Sequence, residues 1–408
     1  MKIILAPMGS EGDIRPMIAL GLGLRAAGHR VCACLPPDLC PEFAHYGLDL
    51  RPGGIRVKDF FRDNAAVMMG HGFKTFKPMI REFARVVNGQ FDDLSSVIKD
   101  ADLLINAGLQ FAGSSVAEHA GIPFFHAVHV PQLIPSRFYP PAGTPWMGLP
   151  PIVNMLIWAM YNIVMDRLLK KTIDVRRRGL GLEPISGISS FYSRSLVLAM
   201  DPELGPLPAD APAGRFSQTG YWQLDTGEDI DAEVRRFLDA GPPPVYIGFG
   251  SMSDPRPRET FACLRRAVDS LGIRALVKRG WAGLAGDATE SGRIRFFDRA
   301  PHVKLFPRMA VVVHHGGAGT THSAGLSGVP QVVVPHFLDQ YWWGHRIAAI
   351  GLGPRPLHRS KLTSGNLARA IGDALDNATY RGNAATLAAA LRARDGIAEM
   401  VAKVEGKG

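Results

Sequence analysis

Twice along this chain a short apolar, β-prone run empties into a glycine-rich turn and then into a stretch of helical periodicity. Lys2–Ala6, the turn from Gly9 to Gly12 and Pro16–Ala27 form the first unit; Val245–Phe249, the turn from Gly250 to Ser253 and Arg258–Leu271 form the second. A strand that feeds a helix through such a turn returns to a parallel neighbour, so each unit commits its half of the chain to a parallel sheet covered by helices. Val31–Leu35, Leu103–Asn106 and Pro123–Val128 read as further strands of the first half. Arg274–Lys278, Ile294–Phe297, Ala310–His314 and Gln331–Val334 read as strands of the second. The fold class is therefore α/β, with two Rossmann-like domains. A chain of 408 residues also exceeds what one core usually holds. Prolines among small residues from Gly205 to Arg215 suit a linker, which gives an N-terminal domain over 1–215 and a C-terminal domain over 216–408, the last helix being free to fold back on the first domain.

Composition excludes rather than selects. With 46% hydrophobic and 20% charged residues, nothing is polar enough to stay unfolded. The net charge of +9 permits nucleotide diphosphates, nucleic acid or anionic membranes as partners without choosing among them; no motif points to nucleic acid. Cys32, Cys34, Cys40 and Cys263 fit neither a zinc site nor a disulfide framework, and the N-terminus reads as a strand rather than a signal peptide, so a cytoplasmic protein is expected. The apolar stretch from Ile152 to Met165 contains Asn154 and Asn162 and falls short of the roughly 18 residues of a membrane span. With the basic run from Asp166 to Arg178 it reads as an amphipathic helix covering the first domain, basic face in water; peripheral contact with an anionic membrane is the alternative.

Ligands of open α/β sheets sit at the carboxyl ends of the strands. There, His314-His315-Gly316-Gly317-Ala318-Gly319-Thr320-Thr321 joins a predicted strand to a helix. Glycines let a backbone approach an anion, the helix N-terminus favours negative charge, and Thr320, Thr321 and His315 add side-chain donors. The spacing is not that of G-x-G-x-x-G, and a P-loop lysine is missing. Asp229-Ile230-Asp231 has the form of a metal-binding D-x-D but begins a helix, where capping is the expected role; no His, Cys or carboxylate cluster completes a metal site.

The segment from Leu305 to Leu357 resembles the donor-binding signature of nucleotide-sugar-dependent, inverting glycosyltransferases with the GT-B fold, in the branch of sterol glucosyltransferases, rhamnolipid-type rhamnosyltransferases and glycopeptide antibiotic glycosyltransferases. The openings from Gly9 to Pro16 and from Tyr246 to Met252 are similar to the domain openings of the same enzymes. The resemblance implies two domains facing each other across a cleft and transfer of a hexose from a UDP- or TDP-sugar, UDP favoured, to a hydroxyl of a hydrophobic acceptor, without metal or other cofactor. It implies that His315, Gly316, Gly317 and Gly319 hold the diphosphate, with Ser251 and Thr320 or Thr321 assisting, and that Asp339 and Gln340 bind sugar hydroxyls. One departure stands out: where the sterol-like branch carries Asp-Trp before Leu-Phe-Pro, this chain has Val303 and Lys304. Trp281 reads as a packed or rim residue rather than a base platform.

Asp13 lies after the first strand, where a carboxylate can take the proton of an acceptor hydroxyl, and its place resembles that of the proposed base of the glycopeptide branch. The competing reading is a cap on the helix predicted from Pro16. Asp339 likewise could cap the helix predicted over Gln340–Ile350. His71, Phe73, His126, His129 and Phe138 are the expected acceptor contacts, drawn from loops near the cleft. Two other functions remain compatible with this reading: a nucleotide-sugar epimerase and a catalytically silent glycosyltransferase-like partner protein. Oligomeric state is not legible.

Overall fold

A computed structural model describes residues 1–60, 63, 76–189, 195–250, 256–280 and 292–407, with 76–79 as backbone alone. Two parallel sheets carry the fold. The first contains β1 (Lys2–Met8), β2 (Arg30–Leu35), β3 (Asp49–Pro52), β4 (Leu103–Gly108), β5 (Phe124–Val128), β6 (Leu196–Ala199) and β7 (Ser217–Thr219) in the spatial order β3-β2-β1-β4-β5-β6-β7. The second contains β8 (Val245–Gly248), β9 (Ala275–Lys278), β10 (Ile294–Phe297), β11 (Val311–His314) and β12 (Gln331–Val333) in the order β10-β9-β8-β11-β12. Strand order reverses between β1 and β4 in one sheet and between β8 and β11 in the other. Such switch points open a crevice at the strand ends.

Strands buried on both faces read as continuous apolar runs, and β1 shows why. Ile3 and Leu5 pack with Ile14, Met17 and Ile18 of α1 (Glu11–Ala26), while Ile4 and Ala6 pack on the other face with Val87, Phe91 and Leu94 of α2 (Phe76–Val97). On the same side as α2 lie α3 (Gly113–Ala120) and α4, a continuous 29-residue helix over Pro151–Gly179 that seats Leu168, Leu169 and Ile173 in the core. In the second domain α5 (Ala232–Asp239), α6 (Pro257–Leu271), α7 (Ala318–Ser327), α8 (Gln340–Ala349) and α9 (Ser364–Asp376) cover the smaller sheet. Leu264, Val268, Leu367 and Ile371 anchor α6 and α9 to the β8 to β11 core.

α1 starts at Glu11, not at Pro16 as the sequence suggests. Ser10 and Asp13 close a capping box there, so the helix begins before the proline and carries it inside. The first domain also runs past residue 215, because β7 is the seventh strand of its sheet. The stretch expected as a linker is held: the Arg346 guanidinium donates to the Leu204 carbonyl at 2.8 Å, and Trp343 packs on Gly205. α10 (Ala378–Arg392) packs on α7, and α11 (Gly396–Val404) crosses back to α1, burying Met400 in the first core. A fourth apolar cluster joins the domains, with Met200, Leu204 and Tyr221 meeting Trp342, Trp343 and Ile347.

α4 also departs from expectation. It is long and apolar enough, by length and composition, to cross a membrane, and its apolar first half is largely uncovered. The sequence stretch was too short only because the basic second half continues the same helix.

Candidate active site

The two switch points supply the two walls of one site. At the first, the Asp13 carboxyl accepts from the Ser10 N–H at 2.9 Å and from the Ser10 hydroxyl at 3.4 Å. It lies against the ends of β1 and β4: a Cβ on Gly9 would fall 2.1 Å from Oδ2, and one on Gly108 would fall 3.1 Å from Oδ1. Only glycine leaves room for the carboxyl at Gly9. Burial pushes the Asp13 pKa up to about 6, opposed by its bonds to Ser10. Asp13 thus caps the helix through one oxygen while the other stands at the sheet edge. Beside it, Met8, Gly9, Ile55, Val57, Phe83 and Phe111 line an apolar pocket.

At the second switch point the chain leaves β11 through two histidines of different character. His314 is fully buried; its Nε2 meets Gln331 Oε1 at 2.9 Å and its Nδ1 accepts from the Gly316 N–H at 3.1 Å. Those bonds fix the tautomer and the path of the turn, while burial holds the ring's pKa down at about 4. His315 faces the opposite way, toward the turn after β8, where a Cβ on Gly250 would come 2.8 Å from its ring and where φ is +62°. Its Nδ1 is buried without a hydrogen-bond partner among the described residues. Burial first, then the neighbouring His314, His336 and Lys278, hold its pKa well below the ordinary imidazole value.

α7 begins at Ala318 with Gly317 as its N-cap and no side-chain cap, so the N–H groups of its first turn are left for a ligand. Gly319 has no side chain because Tyr221 Oη would meet a Cβ there at 2.7 Å. Thr320 is half-buried in this turn. Thr321 is fully buried, and its hydroxyl donates to the Gly317 carbonyl at 3.0 Å. That hydroxyl is turned into the helix, so of the two threonines expected to assist the diphosphate it leaves Thr320.

Asp339 and Gln340 follow β12. Gln340 is buried, and its side-chain oxygen accepts from the His336 N–H at 2.8 Å and the Phe337 N–H at 3.3 Å. It holds the loop that presents Asp339. Asp339 precedes α8 but makes no cap bond; its Oδ2 accepts from Trp343 Nε1 at 3.1 Å. Burial pushes its pKa up to about 7, and the negative charge of Asp13 adds to that shift.

Sequence reading missed three contributors. Lys278 ends β9, with its charge felt by His315 and His302 and its own pKa lowered by burial. Tyr221, buried between the domains, senses both Arg15 and Asp13. The apolar pocket draws on residues scattered from Met8 to Phe111, and no local pattern marks them as a group. The expected acceptor contacts fare differently. His126 is buried within β5 beside Asn106, and His129 packs edge-on against Tyr221 and Trp222; neither lines the pocket. Phe138 is half-exposed under Arg137, also away from the pocket lining. His71, Phe73, Ser251 and Trp281 lie outside the described residues. Asp231 caps α5 through the Glu233 and Val234 N–H groups and Asp229 pairs with Arg235, so the D-x-D is a helix start.

Comparison with known proteins agrees with this architecture. Residues 3–137 match the glycosyltransferase family 28 N-terminal domain, and residues 286–406 match the erythromycin biosynthesis protein CIII-like C-terminal domain. Glycosyltransferase GtfE of Amycolatopsis orientalis is 34% identical over 86% of this chain and 85% of its own length. The vancomycin aglycone glucosyltransferase of the same organism is also 34% identical, with the same shares. A sterol 3-beta-glucosyltransferase of Arabidopsis thaliana, UGT80A2, is 28% identical over 98% of this chain and 64% of its own length. Among solved structures, the glycotransferase of kitacinnamycin superposes with a TM-score of 0.76 at 18% identity, covering 100% of this chain and 98% of that one. VinC in complex with dTDP gives 0.73 at 18% identity, covering 100% of both. With both domains matched and the Amycolatopsis enzymes aligned over most of its length, the chain belongs to the GT-B glycosyltransferases that join a family 28 N-terminal domain to an erythromycin biosynthesis protein CIII-like C-terminal domain.

Proposed function

We propose that the enzyme transfers a hexose from a pyrimidine nucleoside diphosphate, UDP before TDP, to a hydroxyl of a hydrophobic acceptor with inversion at the anomeric carbon. The observation that carries this reading is the Asp13 carboxyl set against Gly9 and Gly108, at the ends of β1 and β4 and next to the apolar residues Met8, Phe83 and Phe111. The apolar side chains around Met8 and Phe83 offer a wall for the acceptor's apolar body, and its hydroxyl meets Asp13. Asp13 takes the proton as the oxygen bonds to the anomeric carbon, while the bond from that carbon to the diphosphate breaks on the opposite face. One displacement of this kind inverts the centre. The departing diphosphate is held by the open N–H groups of α7, by His315 and by the charge of Lys278, and Asp339 accepts from sugar hydroxyls. That set of donors neutralises the leaving group without a divalent ion, and we propose a metal-independent reaction in the cytoplasm.

The test is nucleotide release from a panel of UDP- and TDP-hexoses, with and without hydrophobic alcohols, in chelator. Release that requires the alcohol, with an inverted anomeric centre in the product by NMR, is expected. Sugar interconversion without an acceptor would identify an epimerase, and no release from any donor would identify a silent partner protein.

A further inference from the structure

A helix on a protein surface normally turns its apolar stripe inward. The first half of α4 does the reverse. Its outward stripe is Ile152, Met155, Leu156, Met160, Ile163 and Val164, from 38% to 66% exposed, whereas the buried positions are Asn154 and Trp158. Asn154 is held there by donating to the Arg137 and Leu149 carbonyls. Further along, the same exposed stripe turns mostly basic: Arg167, Lys171 and Arg178 continue it, all exposed, with Val175 as its one apolar position there. The acidic residues of the helix are turned away, Asp166 accepting from the Ile188 N–H and Asp174 from the Ile185 N–H and Lys170. Trp146, 64% exposed, stands in the loop leading into the helix.

We propose that this face docks the enzyme on the surface of an anionic lipid bilayer, with α4 lying in the interfacial plane. The apolar stripe enters the boundary between headgroups and acyl chains, and the three cations meet lipid phosphates, the arrangement that interfacial helices use. Trp146 suits the same depth. The helix lies on the bilayer rather than spanning it, because Leu168, Leu169 and Ile173 are buried against α2 and fix its second half to the domain. A second copy of the chain would match the apolar stripe but offers no acidic partner from this face for the three cations. The docking face and the acceptor pocket share α2, whose Phe83 and Val86 line the pocket while Val87 and Phe91 pack with Leu168 and Leu169.

Flotation of the purified full-length chain with phosphatidylcholine vesicles, with and without phosphatidylglycerol, tests the proposal. Binding to the anionic vesicles alone, weakened by salt, is expected. R167Q/K171Q/R178Q should lose about fivefold in partitioning for each cation removed. M155Q/M160Q/I163Q should abolish binding while keeping nucleotide affinity and the thermal transition, since those positions are solvent-facing; Met160→Gln alone serves if the triple variant does not fold. No flotation with anionic vesicles would overturn the proposal, as would equal binding to neutral ones. So would a dimer, by light scattering, that the Met155, Met160 and Ile163 substitutions dissociate.

Discussion

The turns after β1 and β11 occupy the same topological place in their sheets and solve the same problem in opposite ways. Each delivers a strand into a helix at a switch point, and each helix begins with N–H groups that have no partner inside the helix. After β1 the chain supplies its own acceptors: Ser10 takes the Gly12 N–H, and Asp13 takes the Ser10 N–H. After β11 the described residues supply no side-chain acceptor, for Gly317 has no side chain and Thr321 is bonded within its own helix. The self-capped turn holds a carboxylate and repels anions; the uncapped turn, with His315 and Lys278 beside it, is left for one. The proposed base wall and the proposed phosphate wall thus differ by which side fills the first turn of a helix.

Breaking the first wall has the largest expected effect. Asp13→Asn keeps an acceptor for the Ser10 N–H but removes the base, so single-turnover rates should fall by about 100- to 10,000-fold with the fold retained. Near-normal turnover would move the base elsewhere. A smaller effect follows from burial of the same group. Its carboxyl, raised to about 6, must be ionised to accept a proton, so kcat/KM should fall about tenfold per unit as pH drops below that value and should level off above it. A profile flat between pH 5 and pH 7, roughly the range that brackets that pKa, would contradict this. Smallest is Ser10→Ala. Losing the cap should cost about 1 kcal/mol in chemical denaturation. Because the Ser10 hydroxyl lowers the Asp13 pKa, the acid limb should move to higher pH; a limb that moves down would break the link between cap and base.

Much of the donor wall was legible because strand, glycine turn and helix follow one another within a few residues. Val311–His314, Ala318–Ser327 and Gln331–Val333 fall close to where the pattern puts them. The acceptor wall was not, since its pocket joins β1, the segment after β3, α2 and the end of β4. β3 and β7 escaped notice for a different reason: Asp49–Pro52 and Ser217–Thr219 are short, polar edge strands, held by backbone pairing rather than by apolar alternation. His126 shows how a residue type misleads. A histidine at a strand end reads as a cleft residue, yet the register with Asn106 and Leu196 places it inside the sheet, where burial keeps its pKa near 4. Pro16 misled in the same way, because a proline early in a helix pattern reads as its first residue until the capping box ahead of it is recognised.

The division of labour between the two turns is tested most directly by one calorimetric titration, UDP and TDP into the unaltered enzyme, Asp13→Asn and His315→Ala. The account predicts that Asp13→Asn binds the nucleotide as the unaltered enzyme does, while His315→Ala binds about 10- to 100-fold more weakly through loss of a donor to a charged phosphate. Unchanged affinity in His315→Ala, or an equal loss in Asp13→Asn, would contradict it.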